Sequence, residues 1–230
     1  MVSPALKPMP GSTQARAPGS ALAAWRLLGR RGSQRVLLCL LGVAVVITAL
    51  AHFFEREWAG WIGQRAPASW VQAASARTLL RLDTTVLKPS TLSANSQTDI
   101  NTKFAALQVP QRDAPPYELV FRHGGALGAR DFTLAGGQIV ITDERVQQFD
   151  NDRALLAALS VQLGHLQHHD ALRNSVAQAP FRMLLAIFRG DARTGTRIMS
   201  ENQPVFQYDA RSEEEASAFA RAVMQANPRS

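Results

Sequence analysis

An uninterrupted apolar run near the N-terminus places the strongest constraint on what this chain can fold into. Residues 36–54 are nineteen residues with no formal charge other than a possible one on His52. As a helix, which rises by about 1.5 Å per residue, the run would span roughly 28 Å, close to the hydrocarbon core of a bilayer. The run therefore predicts a transmembrane helix over residues 36–54.

The residues on either side of the run predict its orientation. Four arginines precede it within residues 26–35, and Trp58 and Trp61 follow it, as suits a membrane interface. This bias predicts a single-pass membrane protein with a cytoplasmic N-terminus and a periplasmic or extracellular C-terminal domain. Two alternatives stay open: a signal peptide cleaved at the Ala-Leu-Ala sequence of residues 49–51, and a buried core helix.

The net charge of the chain is concentrated in its first residues. Residues 1–35 carry six of the 25 basic residues and no acidic one, which leaves 19 basic and 18 acidic residues for the rest. We therefore expect no nucleic-acid interface on the folded domain. The abundance of Pro, Gly, Ala and Ser predicts a disordered basic tail over residues 1–35. The single cysteine, Cys39, excludes both an intrachain disulfide and a cysteine-based metal site.

The hydrophobic periodicity beyond the run predicts an α+β domain over residues 55–230. The strands fall together between helices instead of alternating with them, which favours a mostly helical fold with a small sheet. Ser90 is a candidate N-cap for an early helix, and Asp150 or Asn151 can cap a later one. The predicted elements are helices over residues 70–87, 95–107, 155–173 and 212–225, and strands over residues 117–123 and 136–144.

The helix over residues 155–173 contains candidate metal ligands. Its leucines form one apolar stripe, and His165 lies on a different side, with Val161 one turn earlier and His169 one turn later. The simplest interpretation is a core helix with a histidine at its polar flank. A metal shared by His165 and His169 is the alternative, because the i,i+4 spacing brings two imidazoles together on a helix. His168 and Asp170 are further donors nearby.

Three motifs in a fixed order carry a resemblance to a known family. They are "ALGARDFTLAGGQIVITDE" in segment 126–144, the helix in segment 152–175, and "YDARSEEEASAFA" in segment 208–224. In this order they resemble the strand, the AxLAHEIGHxxxRHxxR helix and the YSRxFExxADxFA helix of the HtpX-like and CaaX-prenyl-protease-type zinc metallopeptidases. The resemblance implies a gluzincin-like metallopeptidase domain whose cleft takes polypeptide. It also implies that the strand of residues 136–142 borders this cleft, with an edge that can pair with a peptide backbone.

The resemblance places the zinc site residue by residue, and two positions are replaced. The second zinc histidine falls on His165 and the glutamate ligand on Glu213, but the first zinc histidine falls on Val161. The glutamate that activates the zinc-bound water falls on Gln162. Valine has no lone pair to donate, and glutamine cannot accept a proton from metal-bound water. Ser217 replaces an aspartate partner of the site, and Arg130-Asp131 replaces an Asn-Ala pair.

These replacements imply an incomplete metal site, with no zinc or only weakly bound zinc, and no intact catalytic residue. The resulting hypothesis is a membrane-anchored, catalytically impaired member of the family that binds a polypeptide or a partner protein. One alternative is an active zinc endopeptidase with unusual ligands, and another is a structural or eroded tethered domain. Zinc content separates the active enzyme from the other two, and a peptide bound in the cleft separates the binding domain from the structural one.

Overall fold

The computed structural model describes residues 36–46, 55–110, 115–201 and 208–228. The chain divides into two compact units, residues 1–53 and 54–230. In the first unit, residues 36–46 form a helix with exposed side chains. The tail predicted over residues 1–35 lies outside the described residues.

The transmembrane helix predicted over residues 36–54 is wrong. Among the described residues, no helix is both long enough and apolar enough to cross a bilayer. The described part of this run, residues 36–46, is helical. Residues 47–54 lie outside the described residues, and the localisation inferred from the run stays a prediction.

The second unit is mostly helical and has one small sheet, as the periodicity predicted. Its strands are β1 (Lys88–Pro89), β2 (Glu118–His123), β3 (Asp131–Thr133) and β4 (Gln138–Thr142). Its helices are α1 (Glu55–Gly63), α2 (Ala68–Thr85), α3 (Ala94–Ala105), α4 (Asp143–Val146), α5 (Asp152–Gln167), α6 (Asp170–Ala177), α7 (Pro180–Arg189), α8 (Ala192–Glu201) and α9 (Ala210–Ala226).

The sheet has the strand order β1-β2-β4-β3, which makes β4 an inner strand and β3 an edge strand. β4 runs parallel to β2 and antiparallel to β3. Alternate residues of β4 point to opposite faces of the sheet. Ile139 and Ile141 therefore join the core that includes α5, whereas Val140 packs with Phe132 and Leu134 on the other face.

Helices α5 and α9 pack closely against each other over the same core. Leu159 and Leu163 of α5 share this core with Phe219 and Val223 of α9. A Cβ at Gly164 would lie 2.9 Å from the Cα of Ala216, which is shorter than real side chains allow. The glycine therefore lets the two helices approach each other, next to the position of His165.

The helix expected over residues 155–173 ends earlier than predicted. α5 stops at Gln167, and His169 has a φ of 54°, in the left-handed region that breaks a helix. α6 then begins at Asp170. At the other end the prediction is confirmed, because the side chain of Asn151 accepts a hydrogen bond from the backbone N–H of Ala154.

Ser90 is not a helix cap, contrary to the prediction. Ser93 caps α3 by accepting a hydrogen bond from the backbone N–H of Ser96. The Ser90 hydroxyl instead donates to the Oδ1 of Asp143, at 2.6 Å. Its hydrogen bond thus links the segment before α3 to the start of α4.

Candidate functional site

A polar cavity of about 320 Å³ lies where β3, α5 and the start of α9 meet. It contains both positions at which the sequence departs from the zinc-peptidase pattern, Val161 and Gln162, and also the expected ligand Glu213. His165 lies directly behind it. The full lining is Ala129, Arg130, Asp131, Arg145, Ala158, Val161, Gln162, Tyr208 and Glu213.

His165 is hydrogen-bonded to one carboxylate and lies close to a second. Its side chain is 1% exposed, its Nδ1 lies 2.8 Å from the Oδ2 of Asp170, and its Nε2 lies 3.7 Å from the Oε2 of Glu213. Burial lowers the pKa of His165, an effect that the negative charge of Glu213 partly opposes. Because the Asp170 carboxylate accepts from Nδ1–H, Nε2 is the unprotonated nitrogen of the neutral ring.

Asp170 connects His165 to two further side chains. Its carboxylate is fully buried, forms an ion pair with Arg173, and accepts a hydrogen bond from the hydroxyl of Ser212 at 3.4 Å. A carboxylate on the second nitrogen of a histidine is the arrangement that fixes metal-binding histidines in proteins. Asp170 is therefore committed to positioning His165 and cannot act as a free base.

Tyr208 covers one face of the imidazole, a contact that the sequence motifs do not predict. Its ring stacks on that of His165, with centroids 3.8 Å apart and planes at 18°. Its hydroxyl is buried and has no hydrogen-bond partner within the described part of the chain. Burial, reinforced by the charge of Glu213, raises the pKa of Tyr208, so its hydroxyl remains protonated.

Gln162 is held by two hydrogen bonds, and a glutamate could not make the one in which the amide donates. Its Oε1 accepts from the hydroxyl of Thr133 at 3.0 Å, and its Nε2 donates to the Oδ2 of Asp131 at 3.4 Å. Asp131 in turn accepts from the Nε of Arg145 at 2.9 Å. The amide thus serves as a bridge between β3 and α5.

The structure brings together two of the expected zinc ligands and places no donor at the third position. His165 and Glu213 face each other, but Val161 offers only methyl groups to the cavity. Across residues 36–46, 55–110, 115–201 and 208–228, no group of three or more His, Cys, Asp or Glu side chains could hold a metal. Since catalytic zinc needs three protein ligands, these residues do not fit that ion.

His168 and His169 do not extend this site. Because α5 ends before them, His169 does not have the helical i,i+4 relation to His165 that a shared metal would need. The two histidines border a separate cavity of about 50 Å³, next to Gly60 and Leu172. Burial lowers the pKa of His169, and the positive charge of Arg173 adds to this effect.

The strand that borders the cavity is β3, and not the predicted strand of residues 136–142. Thr142 N–H donates to the carbonyl of Arg130, and Leu134 N–H donates to that of Gln138. In an antiparallel pair the backbone groups alternate between the two sides of a strand. The backbone N–H and C=O of Asp131 therefore point away from β4, toward the open edge of β3. Asp131 is also the β3 residue that lines the cavity.

Arg130 and Arg145 give the cavity positive charge that the motif comparison did not indicate. The Arg145 side chain is engaged by Asp131. The exposed guanidinium of Arg130 makes no ion pair or hydrogen bond with any residue that the structure describes. Glu213, whose side chain is half exposed, provides negative charge at the same cavity. The cleft thus offers both signs of charge to a ligand.

No protein-family model and no curated protein sequence matches this chain. Membership of the zinc metallopeptidase family therefore stays a prediction that rests on the three motifs.

Proposed function

We propose that this chain is a catalytically impaired, metallopeptidase-like domain whose cleft binds an extended segment of polypeptide. The observation that carries this proposal is the position of Val161 and Gln162. Both line the same cavity as Glu213, beside the buried ring of His165. The two residue types that zinc-dependent hydrolysis requires are replaced at the two places where the geometry would use them.

The loss of hydrolysis follows from the chemistry of the replacements. One ligand is missing, so the site provides an imidazole and a carboxylate where three ligands are needed. The general base is missing as well, because the Gln162 amide has no basic oxygen and is already bonded to Thr133 and Asp131. The two losses act on the same water molecule, and restoring one of them would leave the other.

Binding of an extended peptide is supported by the groups that remain available at the cavity. The outward N–H and C=O of Asp131 on the edge strand β3 can pair with a peptide backbone. The exposed Arg130 guanidinium can bind carbonyl or carboxylate oxygens. A volume of about 320 Å³ is at the small end for ligand sites, so the ligand in the cavity is a short segment.

Peptide binding can be tested with fluorescent fragments of unfolded casein and a variant that fills the cavity. We expect the wild-type chain to raise the anisotropy of a fragment, and Val161→Trp to weaken binding by at least about tenfold, which is about 1.4 kcal/mol. Leu80→Trp is the matched control, because Leu80 is 64% exposed on α2. Equal binding by Val161→Trp would place the peptide outside this cavity and contradict the proposal, and no binding by the wild type would favour the structural or eroded domain.

The same preparations test the alternative of an active enzyme. We expect no chelator-sensitive cleavage of casein by the wild-type chain, whether or not zinc is added. Cleavage that a chelator stops and that His165→Ala abolishes would contradict the proposal and establish an endopeptidase with unusual ligands. Cleavage that persists in His165→Ala would point to a contaminating protease and would leave the binding assay as the deciding test.

A further inference from the structure

Helix α7 exposes an apolar face on the side opposite to the one it buries. Met183 and Ala186 are packed in the core that α7 shares with α1, α2, α6 and α8. Phe181 is 75% exposed and Phe188 is 88% exposed, and Leu184 between them is exposed as well. The spacing i, i+3, i+7 places these three side chains on one stripe of the helix. Folding therefore leaves a line of large apolar side chains in contact with water.

Positive charge surrounds this stripe. Arg182 and Arg189 are exposed beside it, and neither forms an ion pair or hydrogen bond with the described residues. Residues 176–201 carry four arginines and two acidic residues, and one of the acidic residues, Glu201, pairs with Arg197. The stretch therefore holds a net charge of +2, whereas residues 36–230 as a whole carry 19 basic and 18 acidic residues. On α7 itself the charged side chains are Arg182 and Arg189.

Helix α1, which contacts α7, also exposes aromatic side chains. Trp58 and Trp61 are both exposed, and the guanidinium of Arg65 lies 3.6 Å from the centroid of the Trp61 ring. Tryptophan, phenylalanine and arginine on a helix face are the residues that bind the boundary between lipid headgroups and acyl chains.

We propose that α7, together with α1, docks on the surface of an anionic lipid bilayer. Phe181, Leu184 and Phe188 enter the region between headgroups and acyl chains, and Arg182 and Arg189 contact lipid phosphates. The charge selects this partner: two unpaired arginines beside an aromatic stripe complement a negatively charged apolar surface. The docking needs no helix that crosses the membrane, and it is independent of what the cleft binds.

A fluorescent probe on α7 tests this docking in the full-length chain. Cys39→Ser removes the only native cysteine, and Leu184→Cys then takes an environment-sensitive dye. The dye reports on the surroundings of α7 alone, so binding of vesicles by the apolar residues 36–54 does not by itself change its emission. We expect its emission to shift to the blue with vesicles of phosphatidylcholine mixed with phosphatidylglycerol, and not with phosphatidylcholine alone. Arg182→Glu with Arg189→Glu should reduce the vesicle response at least about tenfold.

The matched control carries the same dye at Leu80→Cys, on an exposed apolar position of α2, and its emission should not shift. An equal shift at both positions, or an equal response to neutral vesicles, would overturn the proposal. A blue-shifted emission without vesicles would also overturn it. In that case, a blue shift that grows with protein concentration would identify a second copy of the chain bound to α7. A blue shift that does not change with concentration would identify another part of the same chain packed on α7. Circular dichroism checks that each variant is folded.

Discussion

The two sides of the cleft differ in how completely their polar groups are satisfied. On the buried side, Arg173, Asp170 and His165 form a connected chain that Tyr208 covers. On the open side, Val161 stands where a ligand is expected, and the guanidinium of Arg130 is unpaired among the described residues. The groups that would orient a metal-binding histidine are in place, and the groups that would complete the metal site are not.

This difference follows from what each set of side chains contributes to folding. A buried carboxylate such as Asp170 stabilises the fold only while its partners are present, so its replacement is costly. Val161 borders solvent, and exchanging its side chain leaves no buried charge or cavity in the core. The positioning network is therefore tied to stability, whereas the chemistry at the cavity can change while the domain stays folded.

The largest effect is expected from removing the carboxylate at the centre of the buried side. Asp170→Ala leaves Arg173 without its counter-ion and the Nδ1 proton of His165 without an acceptor. We expect the free energy of unfolding to fall by about 3–5 kcal/mol. Urea denaturation followed by tryptophan fluorescence measures this change.

The matched control is Asp83→Ala, because Asp83 forms an ion pair with Arg122 at a partly exposed position. We expect a loss of at most about 1 kcal/mol there. A similar loss in both variants would mean that the buried network does not stabilise the fold more than a surface ion pair does, and the contrast between the two sides would disappear.

A second prediction uses pH to probe the same network. Burial holds the pKa of His165 below the value of about 6.5 in the unfolded chain. Below about pH 6.5 the unfolded chain therefore binds more protons than the folded domain does. The free energy of unfolding is highest above this pH and falls as the pH drops toward the lower pKa of the folded state. The loss is at most about 1.4 kcal/mol per pH unit for one histidine. The pKa of His169 is lowered too, and it acts in the same direction.

Unfolding measured between about pH 7 and about pH 5 tests this sign. His165→Gln should flatten the pH dependence, whatever it does to the stability at neutral pH. A slope that is the same in His165→Gln and in the wild type would assign the pH dependence to other groups.

The element types were predictable from the sequence because they depend on local periodicity. The strand of residues 117–123 and the helix of residues 212–225 both correspond to observed elements, β2 and α9. The end of α5 was not predictable in this way, because the apolar pattern continues while His169 turns into the left-handed region. The apolar composition of residues 36–54 also predicted a membrane-spanning helix that the described residues do not contain.

The candidate site was predictable only in part. The order of the motifs brought His165 and Glu213 to one place, because those positions lie on helices that pack together. The contacts of Tyr208 and Arg145 depend on chain segments that are distant in sequence, and no local pattern marks them. The position of β3 at the sheet edge is likewise a property of strand order, which periodicity does not give.

The smallest effect is expected on the open side, at Gln162. Gln162→Glu replaces the amide donor to Asp131 with a second carboxylate, at a place where the donor and acceptor are 3.4 Å apart. We expect a loss of stability of about 1 kcal/mol, because the like charges repel and one hydrogen bond is lost. Gln148→Glu is the control, since Gln148 is exposed and accepts from the same Arg145. Its stability should be unchanged or slightly higher, and equal losses in the two variants would contradict the prediction.

The central claim is that this cleft keeps the frame of a zinc site and lacks one ligand and the base. The most direct test is the zinc content of the purified wild-type chain and of the Val161→His, Gln162→Glu double variant after equilibration with zinc and removal of the excess. We predict far less than one zinc per wild-type chain, and about one per chain of the double variant, lost again on His165→Ala or Glu213→Ala. One tightly bound zinc in the wild type that His165→Ala removes, or a folded double variant that binds none, would contradict the account.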